Sequence, residues 1–149
     1  MKILLALVLS LGAITAQASE KAATAPEKLT SYLPVGYYSG HNDQGKSCDV
    51  FVTEVNYPKK DIQVTVAVGP TLDLAKLVEE GSEFSYKDHK KEFVQTERNL
   101  IGSDVYNYVE RILRTTIVDN HKLYVVVSYS TVINRSRDTQ TAECIIDVY

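Results

Sequence analysis

The chain has 149 residues, and its 16 basic and 19 acidic side chains give a formal charge of −3. This length is typical of one domain that is large enough to bury its own core. The basic residues are scattered through a mildly acidic chain, which argues against nucleic acid as a partner. Composition therefore favours a single globular domain.

The first 18 residues have the layout of a secretory signal peptide. Lys2 precedes the apolar run ILLALVLSLGAI, and Ala16-Gln17-Ala18 forms a small-x-small cleavage site. The apolar run has roughly a dozen residues, whereas a membrane-spanning helix needs about twenty. We therefore expect cleavage after Ala18 and export to the periplasm or the extracellular space.

The next segment is 19–34. Its first part, 19–30, consists mainly of Ala, Lys, Glu, Thr and Pro, and no aromatic residue precedes Tyr32. Such a composition cannot bury enough apolar surface to hold a fixed structure. The sequence predicts a flexible leader over 19–34 and a single β domain over 35–149.

The chain has two cysteines, Cys48 and Cys144. Cys48 alternates with Val50 and Val52, and Cys144 alternates with Ile146. Each sulfur therefore lies on the apolar face of its predicted strand. In an exported chain this favours a disulfide between the two ends of the domain, although two buried free thiols are the alternative.

Alternation of apolar and polar residues between turn signals predicts about eight strands. The clearest is 62–68, where Ile62, Val64, Val66 and Val68 alternate with smaller or polar residues. The predicted strands are 36–40, 48–57, 62–68, 83–86, 92–100, 104–118, 122–133 and 140–149.

One segment, 71–80 (TLDLAKLVEE), predicts a short helix instead of a strand. Thr71 can cap it, Asp73 lies in its first turn, and Gly81 follows its end. Leu74 and Leu77 would then share one side of that helix.

Hairpin-length connections between the strands indicate an all-β antiparallel meander. Pairing of the last strand with an early one would close a small barrel, analogous in architecture to the calycins, with a sandwich as the alternative. An immunoglobulin-type sandwich is disfavoured because the chain has no Trp and because Ala142 occupies the tyrosine-corner position.

A barrel embedded in an outer membrane is also disfavoured. Glu110 and Arg111 are neighbours in the longest predicted strand, so one of them would face lipid near the middle of that strand. An arginine at the bilayer midplane costs about 2–4 kcal/mol.

No catalytic motif is present. The sequence lacks the G-x-S-x-G, H-E-x-x-H, C-x-x-C, P-loop and dinucleotide-binding patterns. His41, His89 and His121 all fall in predicted turns, where histidines are usually solvated. We predict no metal site, no cofactor and no enzymatic activity, with a hydrolase as the remote alternative.

Several polar residues share predicted strand faces with apolar ones, which points to a ligand site. Asn107 and Arg111 alternate with Val109 and Leu113, and Glu54 and Tyr129 occupy similar positions. A barrel interior with a few polar groups can orient a small or apolar ligand. The predicted ligand-binding residues are Glu54, Asn107, Arg111 and Tyr129. Alternatively, a bulge near Glu110 would turn Arg111 to solvent, or Glu54 and Arg111 would form a structural ion pair.

A second hypothesis is a protein-interaction module, an inhibitor or envelope factor, that uses a surface loop such as 40–46. Ten tyrosines against three Phe and no Trp suggest a tyrosine face that would suit such contacts. The candidate face contains Tyr37, Tyr38, Tyr106, Tyr108 and Tyr124.

Overall fold

The computed structural model describes residues 28–79, 85–87, 91–119 and 121–148. These residues form nine antiparallel strands in a single sheet and a 3-10 turn at Leu29–Ser31. The strands are β1 (Gly36–His41), β2 (Ser47–Val55), β3 (Asp61–Val68), β4 (Leu72–Val78), β5 (Ser85–Lys87), β6 (Glu92–Leu100), β7 (Tyr108–Asp119), β8 (Lys122–Ile133) and β9 (Ser136–Asp147).

The strand order is β4-β3-β2-β1-β9-β8-β7-β6-β5, so the first strand pairs with the last. The β1–β9 pairing covers only Gly40 with Ile146 and His41 with Ile145. Beyond it the sheet curls until β4 faces β7 and β8, giving a nearly closed barrel. The predicted antiparallel meander barrel is confirmed, with eight strands of six residues or more and one strand of three residues.

The inner face of this barrel is filled mainly by valine and leucine side chains. Alternation along the middle of β2 and β3 turns every second residue inward, as period-two patterning requires, whereas β8 also buries Val126, Ser130 and Val132 on its other face. The inner side chains with a relative exposure of 0% include Val50, Val64, Val66, Leu113, Val125 and Ala142.

The predicted helix at 71–80 is wrong, because residues 72–78 form strand β4. Leu72, Leu74, Lys76 and Val78 alternate inward, and β4 pairs with β3 along its whole length. Helix propensity contributes only tenths of a kcal/mol per residue, so pairing with the apolar strand β3 outweighs it.

The predicted strand at 104–118 starts too early. Asp104 accepts hydrogen bonds from the Tyr106 backbone N–H at 2.9 Å and from the Asn107 side-chain amide at 3.2 Å. These bonds hold 101–107 as a loop, and β7 starts only at Tyr108. Asn107 therefore lies in a loop and not on the predicted interior strand position.

The last predicted loop, 135–139, is shorter than expected. Asn134 and Arg135 both have positive φ, of 51° and 69°, which is the conformation of a two-residue hairpin turn. The strand β9 consequently begins at Ser136 and pairs with β8 from there onward.

The predicted signal peptide and residues 19–27 of the predicted leader lie outside the described residues. Residues 28–34 pack onto the barrel, with Leu29 and Leu33 no more than 2% exposed and the Tyr32 and Phe93 rings 5.3 Å apart. Among the described segments, none is a helix with the length and hydrophobicity needed to cross a membrane.

The predicted Cys48–Cys144 disulfide is confirmed. It joins β2 to β9 across 96 positions of sequence, with the two Cα atoms 5.7 Å apart. A disulfide is typical of proteins in oxidising compartments and fits the predicted export, which remains a prediction.

Candidate functional site

Arg111 lies on the inner face of β7, because it shares its strand face with the buried Leu113. In the register of the sheet it pairs with Tyr129 on β8 and with Glu97 on β6. Its guanidinium carbon is 5.5 Å from the centre of the Tyr129 ring. The structure thus brings together two of the predicted site residues, and the Arg111 side chain is 44% exposed.

A buried lysine faces this pair from the opposite edge of the sheet. Lys76, on β4, is 5% exposed and its ammonium lies 2.9 Å from the Glu97 carboxylate. Glu97 also accepts a hydrogen bond from the Asn99 side chain at 2.8 Å. The hydrogen bond from Lys76 is the main cause that lowers the pKa of Glu97, so the carboxylate is held in its charged form.

Next to these charges lies a polar atom without a partner. The side-chain oxygen of Gln95 is buried and accepts no hydrogen bond from any described residue. Gln95 pairs with Leu113, which makes it a diagonal neighbour of Arg111, within reach of a long side chain. A buried acceptor left unpaired costs about 1–3 kcal/mol, so a donor from a ligand would be favoured there.

These residues line a groove between β4 and the β6–β7 pair, which we call the seam groove. Its volume is about 370 Å³, the size of a small metabolite. The lining residues are Ala75, Lys76, Leu77, Glu79, Gln95, Thr96, Glu97 and Arg111.

The other two predicted site residues lie elsewhere. Glu54 is exposed near the end of β2 and forms no hydrogen bond or ion pair with another described residue. Asn107 braces its loop, because its side-chain oxygen accepts a 2.7 Å hydrogen bond from the Asn134 backbone N–H. The predicted alternative of a Glu54–Arg111 ion pair is wrong, since Arg111 approaches Glu97 at 3.9 Å.

A second groove, of about 520 Å³, lies on the outer face where β1 meets β9, and Ser39, His41 and Asp49 are among its lining residues. The Asp49 carboxylate accepts hydrogen bonds from the Tyr37 hydroxyl at 2.8 Å and from the Ser39 hydroxyl at 2.9 Å. No hydrogen bond joins His41 to Ser39 among the described residues. The arrangement is a surface hydrogen-bond network in which Ser39 is bonded to a carboxylate and not to a histidine.

The alternative tyrosine face is divided between different surfaces. Tyr37 and Tyr38 point to opposite sides of β1, and the Tyr38 hydroxyl donates to the Pro34 carbonyl at 2.7 Å. Tyr124 donates a short hydrogen bond to Glu143, and burial together with this bond raises its pKa to about 12. Tyr106 lies in the 101–107 loop, and Tyr108 begins β7, where its hydroxyl accepts a 3.1 Å hydrogen bond from Arg137.

Sequence reasoning missed Lys76, Gln95 and Glu97. Interpreting 71–80 as a helix removed Lys76 from the barrel interior. Gln95 and Glu97 share a strand face with Phe93, which is fully buried, and this alternation was visible in the sequence. Their side chains could have been assigned to the interior on that signal.

Within the described ranges, no three His, Cys, Asp or Glu side chains are grouped as metal ligands. No protein-family model, curated protein or solved structure matches this chain. The functional argument therefore depends on the geometry of the grooves.

Proposed function

We propose that the protein binds a small polar ligand in the seam groove and does not transform it. The observation that supports this most is the combination of a buried lysine, a buried acceptor without a partner and a half-exposed arginine around one groove. Lys76 is paired with Glu97, but the Gln95 oxygen has no donor among the described residues and Arg111 approaches the Glu97 carboxylate only to 3.9 Å, so a ligand can complete the hydrogen bonds of these two residues.

The packing of the core favours a polar ligand in the seam groove over an apolar ligand deep in the interior. Val50, Val64 and Val66 have no accessible surface, so an apolar guest would have to displace them. The seam groove needs no such rearrangement, because it is already open between β4 and β6.

The chemistry of the lining residues indicates the class of ligand. Arg111 presents donors suited to a carboxylate or phosphate, and the Gln95 oxygen requires an N–H or O–H donor. A molecule that carries both an anionic group and a donor, such as an amino acid or a hydroxy acid, satisfies both positions.

The experiment is a thermal-unfolding screen with a panel of small amino acids, hydroxy acids and phosphates. A ligand raises the unfolding temperature of the wild-type protein because it binds the folded state alone. We expect Arg111→Ala to remove the shift. Arg114→Ala is the matched control: Arg114 lies on the same strand but faces outward, 2.8 Å from Glu92.

If both variants lose the thermal shift equally, or if the shift persists in Arg111→Ala, the ligand does not bind in the seam groove.

The protein-interaction and hydrolase hypotheses remain predictions. One observation favours the protein-interaction hypothesis: the rings of Tyr37 and Phe51 are in contact in a tilted arrangement, with centroids 5.0 Å apart, and are 60% and 39% exposed on the outer face.

A further inference from the structure

The far end of the β6–β9 strands carries an unusual concentration of exposed apolar side chains. We call this end the apex; it consists of Leu100, the loop 101–107 and the β8–β9 turn from Ile133 to Arg135. In the described part of the chain, eleven large apolar side chains are exposed, and five of them lie here. They are Leu100 (54%), Ile101 (42%), Val105 (66%), Tyr106 (54%) and Ile133 (50%).

The apex is held in place by polar bonds and not by burial of these side chains. Asp104 organises the loop through the Tyr106 backbone and the Asn107 amide, and the Ile101 N–H donates to the Asn107 carbonyl at 2.8 Å. Asn107 also ties the loop to the β8–β9 turn at Asn134. A loop that is already ordered loses little further conformational entropy when it binds. A loop of this kind that exposes apolar side chains is therefore suited to binding.

The apolar groups surround the apex on both faces of the sheet. Leu100 lies in the row with Tyr108 and Val132, on the outer face, whereas Ile133 points to the inner face. A protein packed against one face of the sheet would cover only one of them. A medium that encloses the tip from all sides, such as the interfacial region of a bilayer, covers both.

The charges at the apex suit an anionic surface. Arg135 stacks over the Tyr106 ring at 5.2 Å, and no carboxylate among the described residues pairs with it. Of the nearby acids, Asp104 is engaged in the loop, and Glu110 is shared by Arg98 and Arg137. Asp138 is exposed on the inner face of β9, whereas Arg135 lies in the turn itself and forms no ion pair with a described residue. Tyr and Arg side chains are favoured at the level of lipid headgroups.

We propose that the apex is a peripheral docking site for the surface of a lipid bilayer that contains anionic headgroups. Leu100, Val105 and Ile133 enter the interfacial region, and Arg135 lies among the headgroup phosphates. This proposal is independent of the seam groove, since the two sites share no residue.

The test is cosedimentation of the purified protein with two kinds of vesicle: phosphatidylcholine alone, and phosphatidylcholine mixed with an equal amount of phosphatidylglycerol. We expect binding to the mixed vesicles, weaker binding to phosphatidylcholine, and weakening by added salt. The double variant L100S/V105S should lower the partition coefficient about tenfold, because two apolar side chains no longer leave water.

Val118→Ser is the matched control. Val118 is 56% exposed near the other end of β7, so its replacement should leave vesicle binding unchanged. Arg135→Ala should weaken binding to the mixed vesicles alone. The proposal is overturned if the wild-type protein sediments with neither vesicle, or if Val118→Ser loses as much binding as L100S/V105S.

Discussion

Gly40 lies where β1 meets β9, and its lack of a side chain permits that contact. A Cβ atom at this position would lie 1.9 Å from the Ile145 carbonyl oxygen, well inside van der Waals contact. The obstacle is backbone, which cannot move aside as the end of a side chain can. Gly40 and His41 are the β1 residues that pair with β9, so this approach positions the two halves of the sheet.

We therefore expect Gly40→Ala to destabilise the fold by about 3 kcal/mol, because the β1–β9 pairing must separate to admit the methyl group. Gly36→Ala is the control, since the atoms nearest to its Cβ would belong to the Tyr38 side chain, at 3.1 Å and beyond, and not to backbone. Urea denaturation of both variants measures the difference. Equal stability of the two variants would contradict this role for Gly40.

Glu110 is a buried acid on the outer face, with its side chain 6% exposed. Its carboxylate lies 2.6 Å from Arg98 and 3.2 Å from Arg137. Hydrogen bonds from Arg98, and then from Arg137, hold the pKa of Glu110 below its ordinary value of 4.5. Because the folded-state pKa is the lower one, the stabilisation is present above pH 4.5 and is lost as the pH falls through that lower value.

The variant Glu110→Gln should accordingly be less stable than wild type at neutral pH, by about 2 kcal/mol. The gap should narrow in acid as wild-type Glu110 becomes protonated. Denaturation at a series of pH values measures this difference in unfolding free energy. Glu54→Gln is the control, and its stability should match that of the wild-type protein at every pH. A gap that is independent of pH would show that the charge of Glu110 does not stabilise the fold.

At the scale of single elements, the sequence predicts most strands, because apolar and polar residues alternate along them. The strand β8 is an example: Leu123, Val125 and Val127 turn inward as expected. The failures occur where local chemistry competes with the pattern. In β4, good helix formers and a capping Thr71 imitate a helix, and only pairing with β3 decides the outcome.

The same limits apply to the candidate site. Arg111 and Tyr129 could be predicted, because both lie in regular strands whose inner face is set by period-two alternation. Lys76 could not be predicted once its strand was interpreted as a helix. The Lys76 ammonium reaches Glu97 only because the sheet curls far enough to bring β4 close to β6, and the local sequence does not predict that curvature.

The disulfide also acts between elements, because it supports the short β1–β9 contact that joins the two halves of the sheet. The double variant C48A/C144A should lose up to about 4–5 kcal/mol by the chain-entropy argument for a loop of this length. Guanidinium denaturation compares it with the wild-type protein under non-reducing conditions. Unchanged stability would mean that strand pairing alone fixes the two halves.

At the scale of the whole molecule, a tightly packed barrel leaves polar chemistry at its open seam and apolar side chains at its apex. The core accounts for the stability of the fold, and it offers no space for a guest among its fully buried valines. We therefore propose both binding sites at the periphery: a small polar ligand in the seam groove and a lipid surface at the apex.

The measurement that tests the seam groove most directly is an amide-shift NMR titration with the compound that gives the largest thermal shift. We predict that the largest changes map to Lys76, Gln95, Glu97 and Arg111 and saturate with a single affinity. Changes centred instead on Ser39, His41 and Asp49 in the outer groove, or an absence of any saturating change, would contradict the proposed function.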